Sequence, residues 1–307
     1  YSTSPAFSIG SNDVLFGGSV DKWKRFTNSL RLRAAIRISG VAANTAKTHI
    51  EEILGNSATY PVITSNADNA SLKWQTSSPY RDPWQTDKDN RDDHGVCKTL
   101  IDFLKDYNDP RLPVYAKPAT SDGQYRGVIS GAIDGTFVLA EISRIGAIFR
   151  DVPDGFSPIL RASEVHFIIA EAAVKGWNTG GITAKQAYEA GIAASFGEYA
   201  LTGVDNYIAQ ASVAWNGDIK RIYMQKWLSL FKNGNEAWAE TRRTDTPLLQ
   251  HAPGSSYGGQ HNRPPFRYPY PVDEINLNGA NVTPKMAGIV NHMWGQKMWW
   301  DTRTGVQ

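Results

Sequence analysis

The sequence predicts a mainly α-helical fold that is interrupted by one long irregular portion. Three observations predict this class: an amphipathic helical pattern near the start of the chain, two helical patterns joined by a glycine-rich turn in the middle, and a loop-rich stretch between them over 59–158. The chain has 307 residues, of which 41% are hydrophobic and 20% are charged. This length and composition are typical of one large folded domain or two ordinary ones.

The first predicted element is a basic amphipathic helix over 21–39. Its apolar residues recur at spacings of three and four, with lysine and arginine residues largely between them; they are Trp23, Phe26, Leu30, Ala34 and Ile38. Ser19 or Asp21 provides a cap at its start, and Gly40 provides a stop at its end. A shorter helix is predicted over 45–54.

The irregular portion over 59–158 is rich in proline, glycine, aspartate and serine. Only 98–107 keeps the spacing of a helix, and short strands are expected at 112–115 and 136–139. Segments of this length without regular structure are uncommon inside a folded domain, and those that occur often carry function. A functional surface is therefore expected in this portion.

Regular helices are predicted again over 161–245. Ser163 caps a helix that ends at Lys175, and Thr183 with Gln186 forms a capping box for the next helix. Two helices joined by a short glycine-rich turn, with small residues where they would touch, form an antiparallel hairpin. Three further helices are expected to stack on this hairpin, at 205–211, 218–231 and 234–243. The chain that follows them is expected to be loop.

The composition argues against several classes of partner and site. Thirty-two Lys and Arg residues against 30 Asp and Glu residues leave a net charge of +2, too small to support binding to the phosphate backbone of nucleic acid. The single cysteine, Cys97, excludes an internal disulfide and a multi-cysteine metal site. No apolar run approaches the roughly 18 residues of a membrane span. The acidic segment 87–93 has Arg91 where a calcium loop needs an oxygen ligand, so neither a metal nor a cofactor is predicted.

No catalytic residue is predicted. The chain lacks the phosphate-binding glycine loops, the zinc-binding HExxH motif and the GxSxG motif, and His94 near Cys97 has no obvious orienting partner. Glu236 and Glu240 share one helical face, which raises the alternative of a glycoside-processing enzyme with paired carboxylates and Asp92 as a further candidate acid. Ion pairing with neighbouring arginines is the simpler interpretation of the two glutamates.

Aromatic side chains of the irregular portion are the candidate ligand-binding groups. Sugar rings present apolar C–H faces and hydroxyl groups, and flat aromatic side chains flanked by polar groups complement both. The candidate residues are Trp74, Tyr80, Arg81, Trp84 and Tyr125. The alternative for each aromatic residue is that it holds its loop against the helical core.

Several motifs, taken in order, resemble the SusD/RagB family of nutrient-binding outer-membrane lipoproteins. The segment 15–33, LFGGSVDKWKRFTNSLRLR, is similar to the GG…W.KFANSLRLR helix of that family. Further matches follow in family order at 108–113, 163–172, 176–177, 188–192, 225–234, 236–238, 242–243 and 268–271. Four matched residues on apolar helix faces are expected in the core: Trp23, Leu30, Trp227 and Trp238.

The resemblance implies a fold of tetratricopeptide-like helix pairs with a variable, loop-rich portion that carries the ligand surface. The chain is therefore expected to be a single SusD-like domain over 1–307 that lacks the N-terminal helices and the lipid-bearing cysteine of the family. Its variable portion would be 59–158 and its helix-pair scaffold 161–245. Three polar residues of the motifs are expected to satisfy buried polar groups between stacked helices: Glu164, Glu171 and Gln225.

The resemblance also implies a role in nutrient capture at the bacterial cell surface. A SusD-like protein is anchored to the outer membrane by a lipid, and it acts with a TonB-dependent, SusC-like channel in the uptake of glycans or, in some members, of peptides. An oligosaccharide is the expected ligand, with a peptide as the alternative, and the role needs neither catalysis nor a cofactor. The remaining alternatives are a glycoside-processing enzyme and a helical protein-interaction module without a small-molecule ligand.

Overall fold

The computed structural model describes residues 10–131, 137–249, 261, 263–289, 291 and 293–304. Within these ranges the chain is mainly helical, which confirms the predicted fold class. The helices are α1 (Val20–Arg37), α2 (Ala43–Leu54), α3 (Pro83–Asn90), α4 (Lys98–Asp106), α5 (Leu112–Tyr115), α6 (Ala147–Arg150), α7 (Ala162–Val174), α8 (Ala184–Gly197), α9 (Val204–Ile208), α10 (Ile219–Ser229), α11 (Gly234–Thr244), α12 (Val272–Leu277) and α13 (Gly279–Met286). The strands are β1 (Ala70–Lys73) and β2 (Phe156–Leu160).

Helix α1 begins at a cap that the sequence predicts. The Ser19 hydroxyl accepts the backbone N–H of Lys22. The loop before this cap wraps around the Asp13 carboxylate, which accepts three backbone N–H groups and, at 2.7 Å, the indole N–H of Trp23. These contacts fix the path of the chain into α1. Helix α1 then packs against α2 and α7.

Helices α7 and α8 form the centre of the fold. The side chains of Thr183 and Gln186 make the predicted capping box at the start of α8. Gly191 of α8 lies so close to the Phe167 ring of α7 that a Cβ atom would be 2.7 Å from it, so glycine allows the close approach of the two helices. Helix α10 packs across both of them. Buried residues of α1, α2, α7 and α8 form most of one large hydrophobic cluster.

The ribbon of β1 and β2 ties the two ends of the loop-rich portion together. Ala70 pairs with Leu160 and Lys73 pairs with Phe156 in antiparallel register. The chain between the strands therefore leaves and returns at one place on the helical body. A second hydrophobic cluster lies within this part of the chain. It combines residues of α4, α5 and α6 with residues of α10.

Some local predictions differ from the structure. The predicted strand at 112–115 is a single helical turn, because Pro113 near its start favours a helical φ. The strand predicted at 136–139 begins outside the described residues, and its last residue starts a 3₁₀ turn. Helix α3 was not expected, although Asp82 before Pro83 is a helix-start signal. The loop expected after α11 contains α12 and α13.

Buried ion pairs join the helices of the scaffold. Glu164 of α7 accepts two hydrogen bonds from Arg33 of α1, and Glu171 of α7 accepts two from Arg243 of α11. Glu240 is also buried beside Arg243. The predicted role of Glu164 and Glu171 between stacked helices is therefore confirmed.

We expect the stability of the fold to fall in acid below a pH of about 4.5. Burial alone would raise the pKa of Glu164 and Glu240, but Arg33 beside the first and Arg243 with Lys226 beside the second hold both pKa values below the ordinary 4.5. The unfolded chain therefore binds more protons than the folded chain as the pH falls below about 4.5, and the free energy of unfolding decreases. Urea denaturation at a series of pH values measures this decrease.

The variant Glu240→Gln removes one of these two carboxylates. Its loss of unfolding free energy between neutral and acidic pH should be smaller than that of the unmodified protein. Glu236 acts in the opposite sense, because burial and the nearby Glu164 raise its pKa. Equal losses in the variant and in the unmodified protein would show that Glu240 does not contribute to acid sensitivity.

Candidate functional site

Three of the five candidate residues lie in the segment between β1 and α3. Trp74 directly follows β1, and its indole N–H donates to the Ser157 hydroxyl of β2 at 2.9 Å. Tyr80 is 60% exposed in a turn closed by backbone hydrogen bonds. Arg81 is half-buried and donates to Asp89 of α3 at 2.9 Å. The structure thus gives these three side chains different surroundings along one loop.

Trp84 and Tyr125 pack against the second hydrophobic cluster. Trp84 lies at the start of α3, where its backbone N–H donates to the capping carboxylate of Asp82 at 2.9 Å. Its ring meets the rings of Phe149 and Phe231 edge to face, with centroid distances of 6.5 and 6.1 Å. Tyr125 is half-buried against the same cluster. Of the five candidates, Trp84 is the one that lines the apolar cavity described next.

An apolar cavity of about 290 Å³ lies between α3, α4 and the C-terminal end of α10. We refer to it as the Trp84–Trp227 cavity. Its main lining residues are Trp84, Cys97, Leu100, Trp227, Phe231 and Lys232. Among the lining residues that the structure describes, Lys232 alone carries a charge at neutral pH. The cavity therefore combines aromatic walls with one polar end.

Trp227 was expected in the core, and the structure places it at the edge of the second hydrophobic cluster instead of inside it. The residue is half-buried, meets Phe103 edge to face at 6.2 Å, and forms part of the cavity wall. The other three residues expected in the core, Trp23, Leu30 and Trp238, are also half-buried. Trp227 lies in the last turn of α10 and Phe231 follows two residues after its end, and these two aromatic residues close together in the chain are the sequence signal that could have identified this wall.

The Lys232 side chain is held by an ion pair and by aromatic rings. Its ammonium group donates to Asp82, the residue that caps α3, and lies 5.2 Å from the centroid of the Trp84 ring. Burial lowers the pKa of Lys232, and the Asp82 carboxylate opposes this shift. Gly155 packs so closely on Asp82 that a Cβ atom would be 2.3 Å from Oδ2. Lys232 is thus a positioned hydrogen-bond donor next to the aromatic wall.

The thiol of Cys97 is part of the apolar wall. Burial raises the pKa of this thiol, so it remains protonated at neutral pH and is a poor nucleophile. The ring of His94 lies instead beside two carboxylates, 3.4 Å from Asp87 and 3.6 Å from Asp93. These surroundings do not activate Cys97 for covalent chemistry.

The carboxylates that raised the alternative of an enzyme are engaged in ion pairs. Glu240 is fully buried beside Arg243, and Glu236 pairs with Arg37 of α1. Asp92 pairs with an arginine of the loop-rich portion at 3.0 Å. None of the three carboxylates is among the described residues that line the Trp84–Trp227 cavity. Their contacts hold the helices and loops together.

No group of three or more His, Cys, Asp and Glu side chains in the described ranges is arranged to hold a metal ion. No helix within them has both the length and the hydropathy of a membrane span.

The chain is similar to proteins of one family in both sequence and fold. A SusD-like family model, described as starch-binding and associating with the outer membrane, matches residues 2–271. A chitin-binding SusD homolog from Flavobacterium johnsoniae has 29% sequence identity and a TM-score of 0.86, and the match covers 97% of this chain and 67% of that chain. A SusD homolog from Bacteroides uniformis has 28% identity and a TM-score of 0.82, with 96% of this chain and 68% of that chain covered.

A further solved structure, described as a chitin-binding protein, has 26% identity and a TM-score of 0.80, with 95% of this chain and 67% of that chain covered. The chain spans about two thirds of the length of these structures. No match was found among curated proteins. Because the family model covers most of the sequence and the fold agrees throughout, the chain belongs to the SusD-like family.

Proposed function

We propose that the protein binds a glycan at the bacterial cell surface, leaves its bonds intact and delivers it to a TonB-dependent, SusC-like channel. In this proposal it is attached to the outer membrane by a lipid anchor. The family model is described as starch-binding and associating with the outer membrane, and two similar structures are described as chitin-binding. The observation that carries the proposal is the Trp84–Trp227 cavity, whose aromatic walls suit a sugar ring.

The size and lining of the cavity favour one sugar residue of a longer chain. Its volume of about 290 Å³ is just below the range of roughly 300–1,000 Å³ for small-molecule sites. Trp84 and Trp227 offer aromatic surfaces to the C–H face of the sugar, and Lys232 offers a donor to a hydroxyl or carbonyl oxygen. The remaining walls are apolar and suit an acetyl methyl group. We therefore propose an N-acetylated glycan such as chitin as the ligand.

The other candidate residues are proposed to contact neighbouring sugars of the same glycan. Tyr80 supports this role because it is exposed in the segment that leads into α3. Trp74, Arg81 and Tyr125 are half-buried and keep part of their surface available. In this arrangement the variable portion 59–158 supplies most ligand contacts, and the helix-pair scaffold 161–245 supplies Trp227 and Lys232.

Catalysis is not part of the proposed function, and neither is a cofactor. Glycoside hydrolysis needs an acid and a second carboxylate that both reach the sugar. Glu236 and Glu240 are instead engaged with arginine residues between helices. Capture and release require different affinities in two arrangements of the protein with its channel, and no change in covalent bonds.

Replacing Trp84 with alanine should weaken the binding of chitohexaose by about 1–3 kcal/mol, which corresponds to a roughly 5- to 150-fold higher Kd. The substitution removes one aromatic wall of the cavity and the ring beneath the Lys232 ammonium. Isothermal titration calorimetry measures the change, and thermal unfolding followed by circular dichroism verifies that the variant is folded.

Trp299→Ala is a suitable control, because Trp299 is 65% exposed and is not among the described lining residues of the cavity. Its Kd for chitohexaose should stay within about twofold of that of the unmodified protein. Unchanged affinity of a folded Trp84→Ala variant would exclude the cavity as the glycan site. Tighter binding of maltohexaose than of chitohexaose would retain a glycan ligand and exclude the preference for N-acetylated sugars.

A further inference from the structure

A second and more open cavity, of about 550 Å³, lies between α8 and α9. We refer to it as the Trp215 groove. In the described part of the chain it shares no lining residue with the Trp84–Trp227 cavity. Its lining combines one indole ring, several alanine side chains and three charged groups. This composition differs from that of the apolar first cavity.

The Trp215 ring is held in place by the core behind it. Its centroid lies 5.3 Å from that of Tyr188, and the Tyr188 hydroxyl donates to the carbonyl of Val213 at 2.6 Å. Arg221 donates to two further carbonyls of the same loop. The segment leading to Trp215 is therefore fixed, so little conformational freedom would be lost when a ligand packs on the half-buried indole.

The charged residues of the groove keep hydrogen-bonding capacity for a ligand. Lys185 and Glu189 of α8 form a long ion pair of 3.8 Å, and their side chains are 64% and 33% exposed. Asp205 of α9 is exposed and forms no ion pair with any residue that the structure describes. The indole N–H of Trp215 likewise has no hydrogen-bond partner among these residues. The groove thus offers two donors and two carboxylate acceptors around an aromatic ring.

These groups together are suited to a sugar. The indole can pack on a C–H face, the carboxylates can accept hydrogen bonds from hydroxyl groups, and the ammonium group can donate to oxygen atoms. The alanine side chains, which include Ala190 and Ala209, leave room for a flat ring beside Trp215. A docked amphipathic peptide helix would need a hydrophobic groove for its apolar anchors, whereas here three charged groups surround the apolar residues of the lining.

We propose that the Trp215 groove is a second saccharide-binding site, which takes the same class of glycan as the Trp84–Trp227 cavity. The class of glycan rests on the proposed function. The residues that form the Trp215 groove are different from those that form the Trp84–Trp227 cavity. Two sites on one chain increase the apparent affinity for a polymer, because binding at the first raises the effective concentration at the second. A short oligosaccharide gains less from this arrangement than a polysaccharide does.

Fluorine NMR of protein labelled with 5-fluorotryptophan tests the two sites separately. The Trp84 and Trp215 signals are assigned with the variants Trp84→Phe and Trp215→Phe, and the probes are chitohexaose and maltohexaose. We expect the Trp215 signal to shift when at least one of the two oligosaccharides is added. The same addition should also shift this signal in the variant Trp84→Ala. A Trp84 shift without a Trp215 shift overturns this inference and retains the proposed function. A Trp215 shift alone supports the inference, and the absence of both shifts overturns it.

Binding to insoluble chitin tests the contribution to affinity for a polymer. Trp215→Ala and Asp205→Ala should each raise the apparent Kd by about tenfold, because each removes a contact of the second site. Trp177→Ala is the matched control, since Trp177 is half-buried against the same hydrophobic cluster and is not among the described residues of the groove. Its Kd should stay within about twofold of that of the unmodified protein. Equal losses of affinity for chitin in Trp215→Ala and Trp177→Ala would indicate a packing effect and overturn the inference.

Discussion

Replacing Arg111 with alanine is expected to lower the free energy of unfolding by about 3–5 kcal/mol. Arg111 and Asp109 form a fully buried ion pair, with 2.6 Å between Nη2 and Oδ2 and 2.9 Å between Nε and Oδ1. Without the guanidinium group, the carboxylate stays buried and loses its opposite charge. A buried charge without its partner is strongly destabilising, because the protein interior solvates it poorly.

The same guanidinium group also connects two helices of the scaffold. It donates to the Ser195 hydroxyl of α8 at 2.9 Å and to the Gln225 side chain of α10 at 2.8 Å. This contact confirms the predicted role of Gln225 between stacked helices. The loss of Arg111 therefore weakens the attachment of the loop-rich portion to both helices.

Urea denaturation followed by circular dichroism measures the effect of Arg111→Ala. Arg126→Ala is the matched control, because Arg126 forms the same type of ion pair with Asp122 at 2.8 Å, with both side chains more than 40% exposed. The exposed pair should contribute at most about 1 kcal/mol to the free energy of unfolding. Similar small losses of unfolding free energy in both variants would contradict the structural role that we assign to Arg111.

Several local features of the fold could be predicted from the sequence, whereas the long-range contacts that position them could not. The cap predicted at Ser163 is wrong, because α7 begins at Ala162 and Ser163 lies inside its first turn. The cap at Ser19 and the capping box of Thr183 and Gln186 depend on residues within one helical turn, so their patterns can be read directly. The segment 108–113 could be identified as a family motif. Its structural role could not be predicted, because Arg111 binds partners on α8 and α10 that are remote in sequence.

The same limit applies to the candidate site. The loop aromatics were a reasonable prediction from residue type, and Trp84 does line a cavity. Trp227, Phe231 and Lys232 were not proposed as ligand contacts, because the sequence does not show that the end of α10 lies opposite α3. That arrangement depends on packing within the second hydrophobic cluster, whose members come from separate segments of the chain.

Replacing Phe149 with alanine is expected to lower the free energy of unfolding by about 3–5 kcal/mol and to weaken glycan binding. The Phe149 ring is fully buried at the centre of the second hydrophobic cluster. It lies 4.9 Å from the ring of Phe231 and 6.5 Å from that of Trp84, and the Lys232 ammonium is 5.9 Å from its centroid. Truncation therefore leaves a void behind three residues that line the Trp84–Trp227 cavity.

Chemical denaturation and titration with chitohexaose measure the two effects of Phe149→Ala separately. Trp299→Ala is the control for stability, because Trp299 is 65% exposed and its loss should change the free energy of unfolding by about 0.5 kcal/mol or less. Phe149→Leu retains most of the buried volume and removes the aromatic contacts with Trp84 and Lys232. If Phe149 positions the binding site, this variant should lose affinity for chitohexaose with a smaller loss of stability than Phe149→Ala. Unchanged affinity in Phe149→Leu would show that Phe149 supports the fold without positioning Trp84 and Lys232 for the ligand.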